Sequence, residues 1–336
     1  MPQITLTGTD IAWRCDDGDT IMRSALRAGI GFPYECNVGS CGNCRFDLIE
    51  GEIEHLRADP PGLNERDRLR GRRLGCQARP LTDCAIKVRL MPRYESRFRP
   101  IRQSAMLLDT RDITHDIREF RFRMESPTRF ISGQYALLSL PGVDGSRAYS
   151  MCNTGETGEE WHFQIKRVPN GTATGYLFDA LSTGVRVGID GPFGMAYLRE
   201  EAERDVVCVA GGSGLSPMIS IVRAAAVSPA LAGRRIDLVY GGRTARDICG
   251  REMLEELPGF GTRIFYHPAV SSVEEGDKGW DGYRGFVHDV AEELFGIRLS
   301  ACEVYFAGPP AMSEAMQKML FTRGVPQEQM HFDQFF

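Results

Sequence analysis

No long apolar run occurs in this chain, and none approaches the roughly 18 residues that a membrane span requires. A transmembrane protein is therefore not expected. The first residues, M-P-Q-I-T-L-T-G-T-D, lack the basic and apolar regions of a secretory signal. No large surplus of positive charge exists either. Lys and Arg number 40 against 45 Asp and Glu, a formal net charge of −5, which gives no reason to expect nucleic-acid binding. Six of the ten cysteines, Cys15, Cys84, Cys152, Cys208, Cys249 and Cys302, are scattered without a pairing pattern. Reduced thiols in a cytoplasmic protein are the simplest reading. The chain of 336 residues is too long for one ordinary core, and its 42% hydrophobic and 25% charged residues are those of a globular protein, so two or three domains are expected.

The other four cysteines are arranged differently. The stretch C-N-V-G-S-C-G-N-C holds Cys36, Cys41 and Cys44 as C-x₄-C-x₂-C, and Cys76 follows after 31 residues in L-G-C-Q-A. That spacing is the plant-type ligand set of a 2Fe–2S cluster. Three thiolates must converge from one tight loop whose backbone N–H groups point at the sulfurs. Gly39, Ser40, Gly42 and Asn43 let the backbone turn and approach closely. A zinc site would pair C-x₂-C with a second such pair or with histidines, and no second pair exists. A disulfide scaffold belongs to short secreted chains.

Around this loop, Ile4–Leu6 and Ile11–Trp13 alternate like short strands about a turn at Gly8. Asp19 or Thr20 caps a helix running to about Ala28, with Ile21, Met22, Ala25 and Leu26 inward, and Gly29 ends it. Phe46–Ile49 and Ala85–Val88 read as further strands. Periodicity alone gives α+β; the resemblance to plant-type ferredoxins implies a β-grasp domain over residues 1–92. Five arginines between Arg66 and Arg73 form either a solvated helix face or a docking patch for an acidic partner. Residues 93–102, R-Y-E-S-R-F-R-P-I-R, read as a linker.

Residues 103–202 show dense short strands, Ile117–Met124, Tyr135–Leu140 and Trp161–Lys166, which suggests an antiparallel barrel. In Arg147-Ala148-Tyr149-Ser150, alternate residues share a face, so a guanidinium for a phosphate and a ring for stacking project together. Ser150 offers a hydroxyl or N–H beside them. Lys166 to Thr174, K-R-V-P-N-G-T-A-T, passes from a strand through a turn into a helix expected over Gly175–Leu181. Gly171, Thr172, Thr174 and Lys166 would line an anion site at a helix start. A surface arginine on an ordinary strand and a capped helix that binds nothing are the plain alternatives. R-x-Y-S, K-x-V-P-x-G-x-x-T and the later G-P-F-G at Gly191–Gly194 resemble the flavin domain of the ferredoxin–NADP reductase superfamily. That resemblance implies that Arg147 binds the flavin phosphate, Tyr149 stacks on the isoalloxazine and Ser150 lies near N5.

From residue 203 to 336 strands alternate with helices: Val206–Ala210, Ile236–Tyr240, Arg263–Tyr266 and, as the last strand, Glu303–Ala307. Such alternation implies a doubly wound parallel sheet that binds ligands at the carboxyl ends of its strands. Two elements sit at those ends. Gly211-Gly212-Ser213-Gly214-Leu215-Ser216-Pro217 reads G-G-x-G-x-x-P, and Gly308-Pro309-Pro310-Ala311-Met312 reads G-P-P-x-M. Both match what the superfamily uses for the nicotinamide nucleotide. Many relatives carry Cys immediately before the second element, where this chain has Ala307. Activity is expected to survive, since the hydride goes to the flavin, but a catalytic cysteine outside the cluster is put in doubt. Arg243 and Arg246 could favour a 2′-phosphate and Asp247 oppose it; family habit points to NADH, with NADPH as the alternative. Phe335 or Phe336 is expected to cover the flavin face, as an aromatic near the C-terminus does in the superfamily.

The order of the three modules resembles the reductase components of bacterial multicomponent aromatic-ring oxygenases, of the naphthalene dioxygenase and toluene or phenol monooxygenase kind. The resemblance spans essentially the whole chain. It implies hydride transfer from NADH to FAD, with FAD preferred to FMN because the ferredoxin domain comes first. Single electrons then pass through the 2Fe–2S cluster to a terminal oxygenase or a small ferredoxin. No acid–base residue is required, and a monomer is expected. The alternatives are the reductase of a diiron monooxygenase, a redox carrier or sensor with vestigial nucleotide sites, or a supplier of some non-oxygenase acceptor such as a dehydratase.

Overall fold

A computed structural model describes residues 1–272 and 279–334. Phe335 and Phe336, expected at the flavin face, lie outside the described residues. The chain divides into two compact units: Met1–Arg102 with Asp190–Gly194, and Gln103–Ile189 with Met195–Phe336.

In the first unit five strands lie in the order Ala12–Arg14, Gln3–Leu6, Cys84–Lys87, Arg45–Glu50, Arg72–Leu74. Gln3–Leu6 pairs antiparallel with Ala12–Arg14 and parallel with Cys84–Lys87. The helix Ile21–Arg27 buries Ile21, Met22, Ala25 and Leu26, the inward stripe its spacing sets. Thr20 caps it by accepting the Arg23 N–H at 3.3 Å. Gly29 leaves it at φ +81°, a conformation costly for any other residue. Trp13 completes the core by donating its indole N–H to Ser24 Oγ at 3.0 Å. The arginine run divides by role. Asp67 is buried at the foot of the helix Glu65–Leu69 and takes both Arg45 and Arg72, at 2.8 and 3.0 Å. Arg68 pairs with Asp59 and with Leu63 O. Arg66 and Arg70 are exposed.

The second unit contains two six-stranded sheets. One has the order Arg147–Ser150, Tyr135–Ser139, Arg186–Phe193, Ile101–Asp112, Ile117–Met124, Glu160–Lys166. A bridge between Met151 and Phe163 joins its two edges and nearly closes a barrel. Phe120, Phe122, Phe163 and Trp161 fill it, and the Trp161 indole finds Thr128 O at 2.9 Å. The helix expected from Gly175 starts earlier. It runs over Thr172–Gly175 and continues as a π-type turn, Tyr176–Ala180, because Thr174 Oγ accepts the Val168 N–H at 3.1 Å and winds the loop tight three residues sooner.

The other sheet is parallel throughout, in the order Tyr283–Arg284, Ile264–Val270, Ile236–Gly242, Asp205–Gly211, Cys302–Gly308, Met330–Gln334. The chain builds outward from Asp205–Gly211 in one direction, then returns to its other side with Cys302–Gly308. The strand order therefore reverses between those two central strands. Glu303–Ala307 is not the last strand, as the sequence suggests. Met330–Gln334, M-H-F-D-Q, follows it at the edge, with Phe332 opposite Phe306. Its polar composition conceals a strand because His331 is buried against Glu303 at 2.6 Å. Among the described residues no helix is long and apolar enough to cross a membrane.

Candidate functional site

Three groups of side chains predicted from spacing can be placed. The four cysteines converge in the first unit. Cys44 and Cys76, with 31 residues between them, bring their sulfurs to 3.4 Å. Cys36 Sγ accepts backbone N–H groups from Ser40 and Cys41, each at 3.3 Å, and Cys41 Sγ accepts one from Asn43 at 3.5 Å. The Cys41 thiol and these backbone donors pull Cys36 down to about 5 against its burial. The loop's shape depends on residues with positive φ: Asn37, Gly39 and Gly42 at 56°, 83° and 77°. A Cβ on Gly42 would meet Gly62 O at 2.5 Å. Convergent sulfurs surrounded by N–H donors are the donor set an iron–sulfur cluster requires, so the residues fit that group.

Two further side chains face this site that spacing did not single out. Gln77, buried behind Gly39, points its amide N–H toward Cys76 O at 3.1 Å and Cys76 Sγ at 3.6 Å. Arg23 donates to Asn37 Oδ1 at 3.0 Å and Cys76 O at 3.4 Å. Position next to a ligand could have flagged Gln77; nothing in the sequence pattern flags Arg23.

In the second unit, Arg147 lies at the barrel edge. Its guanidinium touches the Asp144 and Ser146 carbonyls but no carboxylate among the described residues. Tyr149, on the same face, is half-buried, and burial pushes its phenol up to about 12. Ser150 is buried. An exposed guanidinium beside a half-covered ring fits a phosphate and a flat heterocycle. Lys166 binds Asp116 at 2.9 Å, and although burial opposes it, Lys166 holds Asp116 below the usual carboxylate range. Thr172 is exposed at the helix start, next to Gly171, while Thr174 is buried and occupied in closing the loop.

The two glycine elements meet where the strand order reverses. Gly211 ends one central strand and Gly308 the other. A Cβ on either would come 2.7 Å from Met312 Sδ, and one on Gly214 would strike Ala307 O. The helix Leu215–Val227 starts there with no side-chain cap; its Leu215 N–H turns back to Gly212 O and Ser213 O, and Pro217, which has no N–H, lies buried in its first turn. Lys166 reaches this loop: its Cδ is 3.7 Å from a Cβ built on Gly212. Arg243 is exposed at the end of the next strand. Asp247, weighed against a 2′-phosphate, instead caps its own turn, accepting the Arg243 and Thr244 N–H groups at 3.1 and 2.9 Å.

Comparison with known proteins agrees with this geometry. Models of the 2Fe–2S iron–sulfur cluster binding domain, the oxidoreductase FAD-binding domain and the oxidoreductase NAD-binding domain match residues 4–81, 104–197 and 208–318. The chain is 39% identical over 333 residues to the ferredoxin–NAD(P)(+) reductase CarAd of Metapseudomonas resinovorans, covering 96% of each. It is 31% identical over 334 residues to the phenol 2-monooxygenase reductase component of a Pseudomonas species, covering 98% of this chain and 94% of that one. A solved ferredoxin reductase of carbazole 1,9a-dioxygenase superposes with a TM-score of 0.91 at 35% identity, over 100% of this chain and 98% of that one. The chain belongs to the family of iron–sulfur flavoprotein ferredoxin–NAD(P)(+) reductases of oxygenase systems, and is an oxidoreductase that uses a 2Fe–2S cluster, FAD and a nicotinamide nucleotide.

Proposed function

We propose that this protein feeds electrons from NADH to the terminal oxygenase, or to a small ferredoxin, of a ring-hydroxylating dioxygenase system. When bound, the flavin accepts a hydride's two electrons and releases them singly, and the cluster carries one at a time. The residues of this chain bind and orient. Cys36, Cys41, Cys44 and Cys76 hold the iron. Arg147, Tyr149, Ser150, Lys166, Gly171, Thr172 and Thr174 hold FAD. Gly211, Gly212, Gly214, Pro217, Arg243, Gly308, Pro309 and Met312 hold the nucleotide. The protein acts as a cytoplasmic monomer. The observation that carries the reading is the convergence of four sulfurs, ringed by N–H donors, in a chain that also brings its two glycine elements together at a switch point.

Cys41→Ser tests the serial order. NADH-driven cytochrome c reduction should be lost while ferricyanide reduction, which can draw on the flavin directly, persists. Loss of both with the fold intact would overturn it. A second reading, service to a diiron monooxygenase, is favoured by the similarity to a phenol 2-monooxygenase reductase component over nearly the whole chain. Reconstitution with purified oxygenases of each kind separates the two.

A further inference from the structure

The helix Leu215–Val227 begins at the end of the Gly211–Gly214 loop, and most of it is apolar and buried. Three polar residues interrupt it, Ser216, Ser220 and Arg223. At spacings of four and three they form one stripe. All three donate to main-chain carbonyls of one short stretch of the barrel. Ser216 Oγ donates to Ser150 O at 2.6 Å, Ser220 Oγ to Asn153 O at 2.7 Å, and Arg223 Nη1 to Cys152 O at 2.8 Å. Ser216 Oγ also accepts the Gln164 N–H at 3.3 Å. That single hydroxyl thus bonds both edges of the barrel, beside the Met151–Phe163 bridge that joins them. Ser216 is 2% exposed and Ser220 fully buried.

The stretch they grip continues the strand that carries Arg147, Tyr149 and Ser150. Between Gly214 of the one element and Ser150 of the other lie only Leu215, Ser216 and one hydrogen bond. Hydride transfer is sensitive to such spacing. Donor and acceptor atoms must approach to about 3–3.5 Å, and a shift of about 1 Å can cost on the order of a hundredfold in rate.

We propose that Ser216, Ser220 and Arg223 are positioning residues, which fix the nicotinamide loop against the flavin strand and so set the distance over which hydride passes. The hydride leaves nicotinamide C4 with its electron pair for flavin N5, yielding NAD⁺. None of the three need touch either group. The inference rests on the reading that these two elements hold NADH and FAD.

The test uses the holoprotein. Flavin reduction by NADH and by 4-deuterated NADH is followed anaerobically by stopped flow, together with the long-wavelength charge-transfer absorbance of the nicotinamide–flavin complex. Ser216→Ala removes a buried hydrogen bond and should slow flavin reduction about 3- to 10-fold. The charge-transfer band should weaken and the isotope effect become more temperature-dependent, with FAD content unchanged. Ser216→Thr, which keeps a hydroxyl, should restore the rate. Arg223→Met and Ser220→Ala should act in the same direction, and serve if Ser216→Ala does not fold. Wild-type rate, band and isotope effect in the folded variants would overturn the proposal. So would a rate that falls only in proportion to lost FAD. Absence of NADH-driven flavin reduction in the wild type would instead refute the reading on which it rests.

Discussion

Gln77→Leu should lower the reduction potential of the cluster. The amide of Gln77 is buried and presents its N–H to Cys76, at 3.1 Å from the carbonyl and 3.6 Å from the sulfur. On the other side of Cys76, Arg23 donates to the same carbonyl at 3.4 Å. Both neighbours are donors, so both favour the state with more negative charge on the sulfurs, which is the reduced one. Leucine keeps most of the side-chain volume behind Gly39 and removes the donor. One such bond differs between the two redox states by about 0.5–1.5 kcal/mol, and for a one-electron couple a tenfold change is about 59 mV, so the potential should fall by roughly 20–65 mV. A dye-mediated titration monitored by electron paramagnetic resonance reads the potential, and visible absorbance checks that the cluster is fully loaded. A potential that is unchanged or raised in fully loaded protein would show that Gln77 packs the loop without influencing the couple.

Gly214→Ala tests the meeting of the two glycine elements. Its φ of −58° suits alanine, so only the collision of the new Cβ with Ala307 O opposes the change. If the forced shift of about 1–3 kcal/mol falls on the bound state, NADH should bind about 5- to 150-fold more weakly while FAD content holds; equal NADH affinity would mean that the loop does not bind the nucleotide. Asp237→Asn tests the acid limb of stability. Asp237 is buried with Arg235 at 2.7 Å and His267 at 2.7 Å, and although burial raises its pKa, His267 and Arg235 hold it below the usual carboxylate range. A carboxylate depressed in the folded state stabilises above its unfolded pKa of about 4 and loses that contribution as pH falls through its folded value. Urea midpoints of the wild type should therefore drop below about pH 4, and the variant should be less stable at pH 7 with a shallower acid limb; parallel curves would remove Asp237 from that dependence.

Much of this was legible before any coordinate. The helix Ile21–Arg27 declared itself by an inward stripe, a capping threonine and a terminal glycine. The four cysteines whose sulfurs converge did so by spacing alone. What stayed hidden had partners remote in sequence. Met330–Gln334 looks too polar for a strand until Glu303, 28 residues earlier, is seen to receive His331. The arginine run reads as one patch, yet Arg72 turns inward to the buried Asp67 while Arg66 and Arg70 stay exposed. Asp247 looked free to judge a 2′-phosphate, but its carboxylate is occupied in its own turn. The Ser216–Ser220–Arg223 stripe was visible as polar residues on an apolar helix, but the barrel carbonyls that give it meaning lie 66 to 71 residues upstream.

Ala307 bears on how the two glycine elements are held together. Its side chain is a single methyl group, fully buried in the core behind the strand ends. A methyl group there makes no polar contact. Neighbouring main chain remains: the Ala307 carbonyl closes against Gly214, and Met312 Sδ fills the space that Gly211 and Gly308 leave. Such contacts give a shape and a minimum distance, because close-packed groups resist compression. They do not give attraction toward the strand of Tyr149 and Ser150. The three carbonyl bonds from Leu215–Val227 supply that pull. The approach of the two elements is thus bounded from below by glycine packing and from above by hydrogen bonds. Returning a cysteine to position 307 should alter the chemistry of the site less than removing the hydroxyl of Ser216.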